Sequence, residues 1–139
     1  VGAALGNATA LQSLFALLTG LTSGSFRPVN EAAVAALTGD QGWIAERNLV
    51  YQQRRDLALR ALEKIGWRAE KPQAALYLWI QIPPGYASSE AFCLELLEQT
   101  GVSLTPGSVF GKQGEGYVRL SLTLPEAELQ AAFKRLEGT

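Results

Sequence analysis

Histidine and methionine are both absent from this chain of 139 residues, cysteine occurs once, and charged side chains make up only 18%. Without histidine there is no imidazole general base, no Ser-His-Asp triad and almost no zinc hydrolase ligand set. A single cysteine closes no disulfide and builds no cysteine metal cluster. Set within Phe92-Cys93-Leu94, Cys93 reads as a small core residue. Charge of one sign is also lacking: 12 Lys and Arg face 13 Asp and Glu, for a net charge of −1. With no basic stripe, a nucleic-acid partner is not expected. Residues 1 to 26 carry no charged side chain, and Arg27 is the first. Even so, Gly2, Gly6, Asn7, Gln12, Gly20 and Gly24 interrupt that stretch well short of the ~20 apolar residues of a membrane span. No positive n-region marks a secretory signal, so no membrane partner and a cytoplasmic location are expected.

What is present is apolar material, 47% of the chain, in a length that suits one ordinary domain or a small domain plus part of another. The first residues read as a short strand, Val1 to Leu5, followed by a helix opened by Asn7 or Thr9. Leu11, Leu14, Phe15, Leu17, Leu18 and Leu21 cover most of that helix's circumference. A helix apolar nearly all round must be buried by other protein, and the remaining chain is small for the task. Together with Val1 in place of an initiating methionine, this leads to the expectation that a larger N-terminal part precedes Val1.

Glu31 to Leu37 reads as a second helix stopped by Thr38-Gly39. A long helix follows from about Gln41 to Ile65, roughly 35 Å at 1.5 Å per residue, with Asp40 as cap and Gly66 at its C-terminal exit. Its charged face, with Glu46, Arg47, Arg54, Arg55, Asp56 and Arg60, reads as solvated. Beyond Gly66 strands and helices alternate. Trp67 to Glu70 and Ala74 to Ile82 read as strands, Ser88 or Ser89 caps a helix to about Gln99, and Val102 to Thr105 reads as a further strand. A glycine-rich loop (Gly111, Gly114, Gly116) leads to a last strand. Thr123-Leu124-Pro125-Glu126 has the spacing of a capping box, with Leu122 and Ala127 as a staple, before a helix striped with Leu129, Ala132, Phe133 and Leu136. The fold class is α+β or α/β, with a boundary drawn through the long helix.

The last strand, Gly116-Tyr117-Val118-Arg119-Leu120-Ser121-Leu122, sets one arginine among apolar residues. Strand side chains alternate, so Val118, Leu120 and Leu122 share a core face while Tyr117, Arg119 and Ser121 share the other. A guanidinium is always charged and offers a planar fork that matches a carboxylate at two points. Arg119 therefore reads either as a surface arginine on a wet sheet face or as a carboxylate clamp. The glycine loop supports neither nucleotide motif it imitates. Gly111-Lys112-Gln113 lacks the Ser or Thr that follows a P-loop lysine, and Gly111-Lys112-Gln113-Gly114 brings a single lysine to a nearly neutral chain.

Several stretches together resemble the C-terminal part of a fold-type-I, pyridoxal-phosphate-dependent aminotransferase of class I/II. They are Val1-Gly2-Ala3-Ala4-Leu5-Gly6-Asn7, Ser23-Gly24-Ser25-Phe26-Arg27-Pro28-Val29-Asn30-Glu31-Ala32-Ala33, Tyr51-Gln52-Gln53-Arg54-Arg55-Asp56, Ala75-Leu76-Tyr77-Leu78-Trp79 and Thr105-Pro106-Gly107-Ser108-Val109-Phe110-Gly111, with the arginine strand. The resemblance covers nearly the whole chain and is similar above all to aspartate and LL-diaminopimelate aminotransferases. It implies that residues 1–38 end the large cofactor-binding domain, 39–65 form an interdomain helix and 66–139 form most of the small C-terminal domain. It implies that Arg119 binds the substrate α-carboxylate and that Phe110 helps to exclude water when the domains close. It also implies amino-acid and 2-oxo-acid substrates, pyridoxal 5′-phosphate as cofactor and a homodimer. The Schiff-base lysine of the family is expected upstream of Val1, and Lys64, Lys71, Lys112 and Lys134 match no such context. No catalytic or cofactor-binding residue is therefore expected here, and residues 1–139 alone are expected to be inert. The rival reading from the residues alone is a free-standing, non-catalytic α+β module that binds a small carboxylate effector through Arg119. A structural or dimerisation fragment is a third.

Overall fold

A computed structural model describes residues 1–22 and 24–138. Ser23, the first residue of the Ser-Gly-Ser-Phe-Arg-Pro stretch, lies outside them. The chain divides into two compact units, Val1–Ala45 and Glu46–Thr139.

The first unit holds α1 (Ala8–Leu21) and α2 (Arg27–Thr38). Asn7 caps α1: its Oδ1 accepts from the Thr9 and Ala10 amides at 3.0 and 3.2 Å, satisfying two of the N–H groups a helix start leaves without partners. Helix α2 begins at Arg27 rather than at Glu31, because Pro28 in its first turn has a backbone angle already set for a helix. Val1 to Leu5 does not join a sheet, contrary to the strand expected there. Neither helix buries a single residue, and Phe15 and Leu21 remain 69% and 73% exposed.

Helix α3 (Gly42–Lys64) crosses from one unit to the other. It starts where Asp40 Oδ1 accepts from the Gly42 amide at 2.9 Å. It ends at Gly66, whose φ of +78° lets the Trp67 amide return to the Leu62 carbonyl at 2.9 Å.

In the second unit, β1 (Tyr77–Gln81), β2 (Thr105–Pro106) and β3 (Tyr117–Ser121) form an antiparallel sheet in the order β1-β3-β2. Helices α4 (Ser89–Thr100) and α5 (Glu126–Leu136) complete it. Leu78 and Ile80 of β1, Val118 and Leu120 of β3, and Leu122 all point into one core. Ala58 and Leu62 of α3, Phe92, Cys93 and Leu96 of α4, and Leu129, Phe133 and Leu136 of α5 meet them there. This is a two-layer α+β arrangement in which every helix spends its apolar stripe on the same sheet face.

Four local expectations are corrected. Trp67 to Glu70 makes only an isolated bridge, Ala69 to Ile80. The strand expected over Ala74 to Ile82 begins at Tyr77, since Ala75 turns away with φ +77°. Val102 to Thr105 contributes only Thr105 to a ladder. The capping box does not form: α5 starts after Pro125, with no side-chain cap. Leu124 precedes a proline, which disfavours helical backbone there, so Thr123 cannot stand one residue before a helix. Its hydroxyl lies 2.9 Å from Ser121 Oγ instead.

The charged face of α3 is also less solvated than the sequence suggests. Arg54 Nη1 donates to the Leu122 and Thr123 carbonyls, both at 3.1 Å. Arg55 pairs with Asp56 at 2.8 Å and reaches the Pro72 carbonyl at 3.4 Å, while Lys71 meets Asp56 at 3.4 Å. These arginines fasten the chain before β1 and the corner after β3 to the helix.

Candidate functional site: an arginine on an aromatic sheet face

Arg119 occupies the middle of the middle strand. It pairs across the sheet with Trp79 of β1 and Thr105 of β2, so its backbone is held from both sides. Strand alternation works as the sequence implies: Val118 and Leu120 are buried, and Arg119 points to the opposite face, half-buried. There its guanidinium carbon stands 4.2 Å from the Tyr77 ring centroid and 4.6 Å from that of Phe110. Trp79 meets Phe110 edge-on at 5.3 Å and Tyr117 at 6.4 Å, closing an aromatic cluster round the charge. Ring faces attract a cation, so the rings also fix where the guanidinium fork points.

Among the described residues, no carboxylate lies within ion-pair distance of Arg119. Arg27 and Arg55 each have an acidic neighbour, so the contrast is within one molecule. A cleft of about 750 Å³ borders the aromatic cluster, lined by Trp79 and Tyr117 together with Trp67, Arg68 and Gln81. Another, between α3 and the chain before β1, about 490 Å³, is lined by Tyr51, Arg55 and Leu76 among others. Arg119 faces outward from an open sheet surface.

Phe110 reaches the arginine from a loop made of two short 3-10 helices, Gly107–Phe110 and Lys112–Gly114. A Cβ on Gly107 would collide with the Gly114 carbonyl, and one on Gly114 with the Gly107 carbonyl. The loop therefore folds back on itself as only two glycines allow. Glu115 Oε1 accepts from the Ser89 amide at 2.6 Å and from the Gly116 amide at 3.0 Å, and Oε2 accepts from Ser89 Oγ at 3.2 Å. The Ser89 amide, then that of Gly116, holds the Glu115 carboxyl below its ordinary range. The Cys93 thiol is pushed up to about 11 by burial, so it is a packing group and no nucleophile.

The structure brings Phe110 and Arg119 together. Among the described residues, no hydrogen bond joins the Tyr117 phenol or the Ser121 hydroxyl to the guanidinium. Tyr77, from the neighbouring strand, supplies the closest ring, and Ser121 turns to Thr123. Tyr77 and Trp79 were readable from period-two alternation along β1. The pairing of Ser89 with Glu115 carried no local signal, because the two are 26 positions apart in sequence.

Residues 1–136 match the family described as aminotransferase class I and II. The chain belongs to that family. It is 41% identical over 136 residues to the LL-diaminopimelate aminotransferase of Moorella thermoacetica, covering 98% of this chain and 35% of that protein. Against the LL-diaminopimelate aminotransferase of Desulforudis audaxviator the identity is 44% over 137 residues, covering 99% of this chain and 35% of the relative. The chain thus spans about a third of the length of the curated relatives it matches. Among solved structures, substrate-bound BacF from Bacillus subtilis superposes with a TM-score of 0.88 at 30% identity, over 96% of this chain and 34% of that one. An aromatic aminotransferase from Pyrococcus horikoshii gives 0.71 at 36% identity, over 77% and 29%.

Aminotransferases of this family depend on pyridoxal phosphate, and the lysines of this chain do not fit a covalent anchor for it. Lys64, Lys71, Lys112 and Lys134 are all exposed, and Lys71 is engaged with Asp56. A Schiff-base lysine needs a desolvated setting, and all four of these side chains are open to solvent. No helix among the described residues is long and apolar enough to cross a membrane.

Proposed function

We propose that this chain is the carboxylate-binding portion of an aminotransferase that moves an amino group between an amino acid and a 2-oxo acid. One observation carries the reading: on the central strand, Arg119 presents a guanidinium framed by Tyr77 and Phe110, with no carboxylate among the described residues to neutralise it. Both substrates share an α-carboxylate, so one arginine serves both directions of transfer. The rings beside it lower the local dielectric and strengthen the pairing when substrate arrives. Phe110 stands where it can exclude water from that contact.

In this reading residues 1–38 close a large cofactor-binding domain, 39–65 join it to a small domain, and 66–139 form most of the latter. Pyridoxal phosphate is anchored by residues outside 1–139, so the 139-residue chain alone has no transaminase activity. The full-length enzyme is a cytoplasmic homodimer, and similarity to LL-diaminopimelate aminotransferases supports an enzyme acting on LL-diaminopimelate or aspartate.

Arg119→Lys in the full-length enzyme is the test. It keeps the charge and removes the two-point grip, a loss of roughly a few kcal/mol or about a hundredfold in kcat/KM. The loss is expected with every amino-acid and oxo-acid substrate, while the absorbance of the bound cofactor stays unchanged. Wild-type kinetics in Arg119→Lys, or loss of the cofactor, would overturn the assignment.

A further inference from the structure

Phe110 can frame Arg119 only if its loop is held still, and the structure shows what holds it. Ser89 is fully buried at the first turn of α4. Its amide donates to Glu115 Oε1 at 2.6 Å, its hydroxyl donates to Glu115 Oε2 at 3.2 Å, and that same hydroxyl accepts from the Ser108 amide at 3.3 Å. Ser108 lies in the turn that carries Phe110, Gly107–Phe110, and Glu115 ends the loop just before β3. Ser89 therefore ties both ends of the loop to one helix. Between those ends, Gly107 and Gly114 pack backbone to backbone. At the exit, the Ile82 amide donates to the Gly116 carbonyl at 3.0 Å, joining the loop to the end of β1.

We infer that Glu115 and Ser89 form a latch that makes the Phe110 loop one rigid piece with α4 and β3, so that Glu115 is a positioning residue for the carboxylate site. This deepens the proposed role of Arg119 and rests on it. The consequence concerns motion. A loop bound at both ends and folded on itself does not open as a flap. Any closure over substrate carries Phe110, Arg119 and α4 together. Glu115 suits the task because its carboxylate accepts three hydrogen bonds at once, one from a buried hydroxyl that no water reaches.

The test uses the full-length enzyme with cofactor bound. Glu115→Ala removes all three acceptances. The expected result is a KM raised about tenfold for amino-acid and 2-oxo-acid substrates alike, with kcat changed by less than about twofold and cofactor absorbance unchanged. Amide hydrogen exchange should accelerate across 107–114 and stay as it was in β1. Glu115→Gln retains an oxygen for the Ser89 and Gly116 amides and should recover most of the KM. If Glu115→Ala does not fold, Ser89→Ala replaces it: that variant loses only the hydroxyl relay to Ser108 and should show the same pattern at about threefold in KM. Unchanged exchange in 107–114, or unchanged KM with Arg119→Lys still impaired, overturns the latch and leaves the carboxylate role standing. Wild-type behaviour of Arg119→Lys removes the carboxylate role. The latch is then judged by exchange alone, faster exchange supporting it and unchanged exchange overturning it.

Discussion

The two units of this chain solve burial in opposite ways. In Glu46–Thr139, three helices and a three-stranded sheet converge on a shared core where Leu78, Ile80 and Val118 are fully buried. In Val1–Ala45, α1 and α2 bury no residue, although α1 is the most apolar helix of the chain. Local helix signals are sound in both: Asn7 caps α1 as Ser88 caps α4. What differs is tertiary completion. Propensity and capping suffice to specify a helix in place, but only packing of its apolar face supplies most of its stability. The first unit therefore leaves its apolar helix faces exposed, whereas the second buries its own.

The comparison breaks first, if it breaks, on core truncation. Phe133→Ala in α5 should cost about 3–5 kcal/mol, read as a lowered midpoint in urea unfolding followed by circular dichroism. Phe15→Ala in α1, with the ring 69% exposed, should change the stability of the 139-residue chain by less than about 0.5 kcal/mol. Equal costs at the two sites would mean that α1 is packed within this chain after all.

Next in size is the corner that Arg54 holds. Arg54→Ala strands the Leu122 and Thr123 carbonyls and should lower stability by about 1–3 kcal/mol, by the same unfolding measurement. A negligible change would return this residue to the solvated face that the sequence suggests. A related outcome concerns the first unit in solution. Exposed Leu14, Phe15 and Leu18 should drive self-association of the 139-residue chain, visible in sedimentation velocity. Replacing all three by Gln should return it to monomer, and a wild-type chain that is already monomeric at high concentration would contradict the contrast drawn here.

How much of this was legible in the sequence follows the same division between local and distant causes. Asn7, Asp40, Gly66 and Ser88 act within a few residues of themselves, and their roles were readable. The alternation of Val118, Arg119 and Leu120 was readable too, because a strand with one buried face writes its period into the sequence. The short strands were overextended, since apolar residues such as Val102 and Leu104 fill the partly buried margin of the core without joining a ladder. The capping box failed through a single residue, Pro125, whose effect on Leu124 outweighs the Thr-x-x-Glu spacing. Arg54 and Glu115 were opaque for a different reason. Their partners are 68 and 26 positions away, and nothing in a local window announces a bond across that distance. The aromatic frame of Arg119 lies between these cases: each ring sits on a legible strand or loop, but only the register of β1 against β3 brings Tyr77 to the guanidinium.

The smallest expected effect sharpens the comparison through pH. Glu115 and Asp56 both belong to the second unit, and both carboxyls are held below their ordinary values of 4.5 and 3.8. For Glu115 the leading cause is the Ser89 amide, and for Asp56 it is the hydrogen bond from Arg55. A carboxyl with a depressed folded-state pKa stabilises the fold above its unfolded pKa. That contribution is lost as pH falls through the folded value, because the unfolded chain then binds the proton more readily. Stability of the second unit should thus be flat from neutral pH down to about 5 and decline below 4.5. Glu115→Gln removes one of the two titrations and leaves that of Asp56 in place, so the difference between wild type and variant isolates the latch. Urea unfolding at a series of pH values should show that difference shrinking as pH drops from 5 toward 3, since protonated wild type and amide become alike. A wild-type advantage that persists undiminished at pH 3 would show that Glu115 acts by shape alone, and its charge would then have no part in holding the loop.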